Sequence, residues 1–318
     1  MGCSKNLVDS ERLMRQLEAA GVEVVHDARL DRASIVVVNT CGFINDARQE
    51  SVDMILQCAK AKSEGVIDKL FVMGCLSQLH KTELKREMPE VDQYFGVHDM
   101  EEIVCKIADN VGKYRHDLRN ERVVSTPAHY AYLKIAEGCN SACAFCSIPQ
   151  IRGAHVSTPI EDLLDEAKFL VEKGVKELQI ISQDISYYGL DLYRKQTLPE
   201  LITRLCDIEG IEWLRLHYAY PNRFPMEILD LMTRRHKICR YLDIPVQHIS
   251  DRTLKKMRRN ITGKETITLI EKIRDKVPEI ALRTTLLVGH PGETEKDFMQ
   301  LVDFVQQIRF DRLGVFTY

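Results

Sequence analysis

A chain of 318 residues is long for one domain and natural for two. Its 45% hydrophobic and 29% charged residues describe an ordinary globular protein, and no run approaches the length of a membrane span. A net charge of -3 gives no sign of a broad nucleic-acid-binding surface, although it leaves room for a local basic patch. Ten cysteines, several in short clusters and with no apolar signal segment ahead of them, point to metal binding or catalysis in a reducing cytoplasm.

Residues 7–20 carry Leu7, Leu13 and Leu17 at the spacing of an amphipathic helix, which Gly21 stops. Short valine-rich strands are expected at 21–25 and 34–38, then a helix at 47–62, a strand at 69–73 and a helix at 78–87. Strands alternating with helices predict a doubly wound parallel sheet in an α/β domain spanning 1–110. Cys41 follows one strand through Asn39-Thr40, and Cys75 follows another through Gly74. Cys3 follows Met1-Gly2, and Met-Gly-Cys recurs at 73–75. Loops beyond the carboxyl ends of parallel strands share one edge, where ligands bind. Three such cysteines would meet there, with Gly2, Gly42 and Gly74 letting the backbone approach a bulky group. Buried packing thiols are the plainer alternative for each taken singly. Cys58, Cys105, Cys206 and Cys239 show no such placement and read as ordinary thiols.

The polar stretch 111–126 (KYRHDLRNER within it) suits a linker, and 127–318 a second domain. A strand at 131–136 leads into Glu137-Gly138-Cys139-Asn140-Ser141-Ala142-Cys143-Ala144-Phe145-Cys146. Three thiolates spaced C-x3-C-x2-C select a soft metal centre, zinc or an iron–sulfur cluster. Structural zinc wants a fourth ligand, which His129 or His155 would have to supply. Further strands are expected at 177–181, 213–217, 241–244, 280–287 and 312–317. Helices fall at 160–172, 198–207, 226–233, 264–275 and 295–308. Six parallel strands with outer helices describe an open, partial (β/α) barrel whose site lies at the carboxyl ends of the strands. Gln183 and Asp184, His217 and Tyr218, Gln247 and His248, and Gly289 to Glu293 follow successive strands and would face that rim. Each alone is a turn or cap; as a ring they are candidates for holding cofactor and substrate.

The loop C-x3-C-x-F-C resembles the signature of the radical S-adenosylmethionine (SAM) enzymes, and EGCNSACAFCSIPQIRG resembles their methylthiotransferase branch. GCSKNLVDSE, NTCGFINDA and MGC at the amino terminus, with ISQDISYYGLDLY, HYAYP, DIPVQHIS and RTTLLVGHPGETE later, are similar to the same family. The resemblance implies that Cys139, Cys143 and Cys146 hold a 4Fe–4S cluster whose open iron binds SAM. It implies a second, auxiliary 4Fe–4S cluster on Cys3, Cys41 and Cys75, whose open iron carries the sulfur to be transferred. Phe145 would lie near the adenine of SAM, or simply pack over the cluster, and Gln183, Gln247 and Glu293 would contact the cofactor. Two departures stand out. The family has a short strand before its first Gly-Cys pair, whereas this sequence starts at Met1, which should weaken the domain and the Cys3 ligand. His290 stands where the family has phenylalanine.

GCSKNLVDSE, NTCGFI, SQD and PVQHIS favour the branch that modifies an aspartate of the twelfth protein of the small ribosomal subunit over the branch that modifies transfer RNA. The implied reaction inserts a methylthio group at the aspartate β-carbon, with one SAM generating a radical and a second giving the methyl group. A flavodoxin or ferredoxin would supply the electron to a cytoplasmic monomer with no membrane contact. The family's small β-barrel (TRAM) domain does not follow Tyr318, so docking on the target should be impaired. Two other readings remain: a transfer-RNA adenosine methylthiotransferase, and a zinc-stabilised binding module without catalysis.

Overall fold

A computed structural model describes residues 2–27, 32–108 and 114–318 of the chain. These divide into two compact units, one of residues 1–126 with 147–153, the other of residues 127–146 with 154–318.

The first unit opens with α1 (Ser4–Ala19), closed by Gly21 at φ +79° and by a Val22 N–H bond to the Leu17 carbonyl. There follow β1 (Ala33–Thr40), α2 (Asn45–Ser63), β2 (Ile67–Gly74), α3 (Cys75–Glu87), β3 (Gln93–Tyr94) and α4 (Met100–Ile107). The strands form one parallel sheet in the order β1-β2-β3, with Val36 opposite Leu70 and Val38 opposite Val72. Side chains alternate across it. Val36, Val38, Leu70, Val72 and Tyr94 pack with Ile55, Cys58 and Leu84 of α2 and α3. Ile35, Val37, Phe71 and Met73 pack with Leu13, Leu17, Ile103 and Val104 of α1 and α4. Helices thus cover both faces, as a doubly wound sheet requires.

Two expectations need correcting. Residues 22–25 are not a strand: Val22 and Val24 pack onto the cluster around Phe71, so their apolar surface is half-buried without a partner strand. Among the described residues no strand precedes Cys3. Gly2 and Cys3 lie outside any strand, and Cys3 sits directly before the first turn of α1.

The charged stretch ahead of the second unit is tied down where it is described. Arg122 is fully buried with its guanidinium on the Glu11 carboxylate, and Glu11 also accepts from the Ser125 N–H (2.8 Å) and hydroxyl (2.7 Å). Arg115 and Gln16 exchange two bonds of 2.9 Å. The short α5 (Ile148–Arg152), with Pro149 in its first turn, also belongs to the first unit.

The second unit carries β4 (Tyr130–Lys134), β5 (Ala136–Glu137), β6 (Val156–Ser157), α6 (Ile160–Glu172), β7 (Glu177–Ile181), α7 (Leu198–Cys206), β8 (Trp213–Leu216) and α8 (Glu227–Arg234). It continues with β9 (Ile238–Asp243), α9 (Asp251–Lys256), α10 (Gly263–Lys276), β10 (Ala281–Val288), α11 (Glu295–Ile308) and β11 (Arg312–Thr317). Six strands form one parallel sheet in the order β11-β10-β9-β8-β7-β4, and β5 pairs antiparallel with β6. Leu133, Leu178, Ile180, Leu214, Leu216, Leu242 and Leu282 are almost wholly buried, which places the core on these strands. Sequential neighbours joined by helices, with β4 and β11 left as edges, give the open partial barrel. The loop holding Cys139, Cys143 and Cys146 leaves β5 at the carboxyl end of the first barrel strand.

Candidate functional site

In the first unit the segments bearing Cys3, Cys41 and Cys75 pack on one another because three glycines admit it. A Cβ on Gly2 would stand 3.3 Å from the Cys41 Cβ, and one on Gly42 would stand 2.8 Å from the Leu76 Cα. Gly74, at φ +103°, would push a Cβ to 2.4 Å from Asn39 Oδ1. Asn6 of α1 laces the segments together, donating through Nδ2 to the Thr40 carbonyl (2.9 Å) and accepting through Oδ1 from the Cys75 thiol (3.4 Å). Burial pushes the Cys75 thiol up to about 11, against the pull of Arg152, and burial also raises Cys41; Cys3 lies close enough to raise both. Arg152 of α5 is almost wholly buried and reaches Asp9 (3.0 Å), Asn6 Oδ1 (2.5 Å) and the Cys75 sulfur (3.6 Å). Two buried thiols, the exposed Cys3 and one guanidinium suit a group whose metal charge can strip the thiols of their protons. An iron–sulfur cube meets that requirement.

In the second unit Gly138, at φ +76°, turns the chain out of β5 into the cysteine loop. The loop is held by an Ala144 N–H bond to the Met257 carbonyl (3.1 Å) just past α9, and by the Asn140 side chain, which accepts from the His155 N–H (3.0 Å). The Cys139 sulfur accepts from the Ser141 N–H at 3.3 Å, as a thiolate would use, although burial raises this thiol overall. Arg259 lays its guanidinium 4.0 Å above the Tyr220 ring, donates to the Pro245 carbonyl (2.6 Å) and reaches the Cys143 sulfur at 3.7 Å. Phe145 lies half-buried between Cys143 and Cys146. Asp184, buried after β7, is pushed up to about 6 by burial and is placed to oppose ionisation of Cys139.

The other rim residues fall into two groups. Gln183 donates to Glu137 (2.9 Å), which Lys134 also holds (2.7 Å), two residues ahead of Cys139; the buried Gln183 Oε1 has no donor among the described residues. Gln247 takes a left-handed turn at φ +69° and bridges to β10, bonding Thr285 and Leu287 through its backbone. A non-glycine residue held there is strained, which is common at ligand sites. Glu293 faces His248 (3.6 Å) and accepts from the His290 N–H (3.1 Å). Among the described residues neither Gln247 nor Glu293 hydrogen-bonds the cysteine loop. His290 is buried with its ring edge-on to Tyr318 at 5.3 Å, so an aromatic ring still fills the place the family gives to phenylalanine.

A zinc knuckle finds no support here. Among the described residues no three or more of His, Cys, Asp and Glu converge on a single metal ion, and His155 faces Ser157 (3.2 Å) instead. Thiolates holding a cube bind separate irons and stand further apart than the ligands of one ion. Sequence reasoning passed over Arg259, Tyr220, Arg152 and Asn6. Arg152 and Arg259 act on cysteines 77 and 116 residues away, a separation with no local signal.

Comparison with known proteins shows the family. The radical SAM superfamily matches residues 133–305, and a model described as uncharacterized protein family UPF0004 matches residues 1–96. Among solved structures, the radical SAM methyltransferase TsrM from Kitasatospora setae, with cobalamin and a 4Fe–4S cluster, superposes with a TM-score of 0.70. That match has 16% identity and covers 98% of this chain and 72% of that one, a likeness of fold. The class is therefore that of radical SAM proteins. The ribosomal protein uS12 methylthiotransferase RimO of Bacteroides fragilis is 56% identical over all of this chain and 73% of its own length. RimO of Cytophaga hutchinsonii is 55% identical over all of this chain and 72% of its own. The chain belongs to the RimO family.

Proposed function

We propose that the protein transfers a methylthio group to the β-carbon of an aspartate in ribosomal protein uS12, with SAM and two 4Fe–4S clusters as cofactors. The observation that carries this reading is the pair of cysteine trios, one in each unit, each with an arginine guanidinium beside one sulfur. Cys139, Cys143 and Cys146 would hold one cluster, and Cys3, Cys41 and Cys75 the other. When bound, the first supplies the electron that cleaves SAM and the second supplies sulfur.

The β-carbon of aspartate has no useful acidity, so its hydrogen is removed by a radical rather than by a base. The chain's own residues then have positioning work. Arg259 holds positive charge against the Cys143 sulfur, and Tyr220 covers that guanidinium from the other side. Gln183, fixed through Glu137, presents a buried acceptor at the strand end after β7, suited to an N–H or O–H of SAM. Phe145 offers a ring edge or face to the adenine, and Glu293 and the strained Gln247 complete the cofactor contacts. Arg152 offsets the charge of three thiolates while Asp9 and Asn6 fix its orientation.

The protein would act in the cytoplasm as a monomer, with a flavodoxin or ferredoxin as electron donor; among the described residues no helix is long and apolar enough to cross a membrane. The test is intact-mass analysis of uS12 incubated with the reconstituted, reduced protein and SAM. A gain of one methylthio group on a single aspartate supports the reading. Unchanged uS12, with thiolated adenosine appearing in transfer RNA instead, would overturn it.

A further inference from the structure

The second unit carries a cavity of about 390 Å³ on β8, β9 and the end of α8, at the strand ends opposite the cysteine loop. Its lining includes Trp213, Arg234, His236 and Arg240, with Met232 and Cys239 behind them, and contains no carboxylate. Trp213 is the chain's only tryptophan and is 51% exposed, an unusual position for so large an apolar ring. Arg234, His236 and Arg240 are exposed as well.

The acids nearby are already engaged. Glu212 pairs with Lys176 (3.4 Å), Asp207 with Arg235 (2.8 Å) and Glu177 with Arg215 (2.6 Å). Lys237 is spent on the Cys206 and Ile208 carbonyls. What remains open is a flat aromatic face framed by two permanent cations and an imidazole. A planar base stacked on an indole, with flanking phosphates on arginines, matches that set of groups. An acidic peptide would use the cations and leave the indole without a partner.

We propose that this cavity binds single-stranded RNA, Trp213 stacking a base while Arg234 and Arg240 take phosphates. The surface is separate from the cysteine loop of its own unit and does not depend on the methylthio chemistry. It would give the enzyme a hold on an RNA-rich target such as a ribosomal subunit.

Because Trp213 is the sole tryptophan, its fluorescence reports directly on the cavity. The full chain is titrated with single-stranded poly(A) RNA and, in parallel, with polyglutamate of equal charge. Saturable quenching by RNA and none by polyglutamate is expected. In anisotropy measurements with labelled RNA, Trp213→Ala weakens binding by about 5-fold or more, the lower end of what one stacked base contributes. Arg234→Ala with Arg240→Ala reduces the slope of log affinity against log salt by about 1.4, at about 0.7 per phosphate contact on a single strand. SAM cleavage at wild-type rate in each variant shows that the barrel is intact. Equal quenching by polyglutamate, or RNA affinity and salt slope unchanged in all variants, would overturn the proposal.

Discussion

Arg152 and Arg259 do the same thing in two places: each brings a guanidinium within 3.7 Å of one sulfur of a trio. A permanent cation beside a cluster thiolate stabilises the reduced, more negative state. Arg259→Met should therefore lower the midpoint potential of the cluster proposed on Cys139, Cys143 and Cys146 by about 60 mV or more. A hydrogen bond to a charged group is worth about 1.5 kcal/mol or more, and 59 mV corresponds to about 1.4 kcal/mol for one electron. Redox titration followed by EPR measures this, and an unchanged potential would remove Arg259 from the site. Asp184 gives a pH signature. Burial raises its carboxyl from 3.8 to about 6, so the folded state holds a proton that the unfolded chain has released. Stability then falls as pH rises from about 4 to about 6, by up to about 3 kcal/mol. Asp184→Asn, which keeps the acceptor for the Ser186 N–H, should flatten that fall in urea melts at the two pH values. Five of the six candidate cysteines stand out in the sequence, because a local pattern or a strand end announces each of Cys41, Cys75, Cys139, Cys143 and Cys146, whereas Cys3 has only its Gly-Cys pair. The arginines do not: Arg152 lies inside the motif EGCNSACAFCSIPQIRG, but nothing there links it to Cys75, and nothing near position 259 distinguishes Arg259 from a surface cation.

The turns after β1 and β2 carry Cys41 and Cys75 of the first unit's trio, and both depend on glycine. Gly74→Ala would set a methyl 2.4 Å from Asn39 Oδ1 and 2.5 Å from the Thr40 carbonyl, at a φ that alanine resists. The expected result is loss of about half the bound iron with SAM cleavage intact; full iron content would show that the turn tolerates the methyl. The contact of α1 with residues 122–125 is a buried ion pair. Arg122→Met should destabilise the first unit by about 3–5 kcal/mol by leaving Glu11 without its guanidinium, and adding Glu11→Leu should recover much of that in a urea melt. At this scale the sequence reading succeeded where apolar runs were long. The strands at Ala33–Thr40, Ile67–Gly74, Glu177–Ile181 and Ala281–Val288 were legible as apolar runs, whereas the one at Ile238–Asp243, interrupted by Arg240, was expected only from residue 241. It missed β3, whose two residues carry no period, and α4 beyond it. It mistook the valines at 22–25 for a strand because alternating burial looks the same whether or not a neighbouring backbone is there to pair.

Each unit of the molecule has its own sheet, its own buried core and its own cysteine trio. The two chemistries should therefore be separable by substitution, because a lesion in one core need not disturb the other. The composition pointed to this division through length alone, and the motifs assigned one trio to each part. The chain spans 73% of the length of its Bacteroides fragilis relative. The central claim, two trios with two distinct tasks, is tested most directly by assaying Cys41→Ala and Cys143→Ala side by side for SAM cleavage and for methylthio transfer to uS12. The account predicts that Cys143→Ala abolishes both, while Cys41→Ala still cleaves SAM and transfers no sulfur. Methylthiolated uS12 from the Cys41 variant, or SAM cleavage by the Cys143 variant, would contradict it.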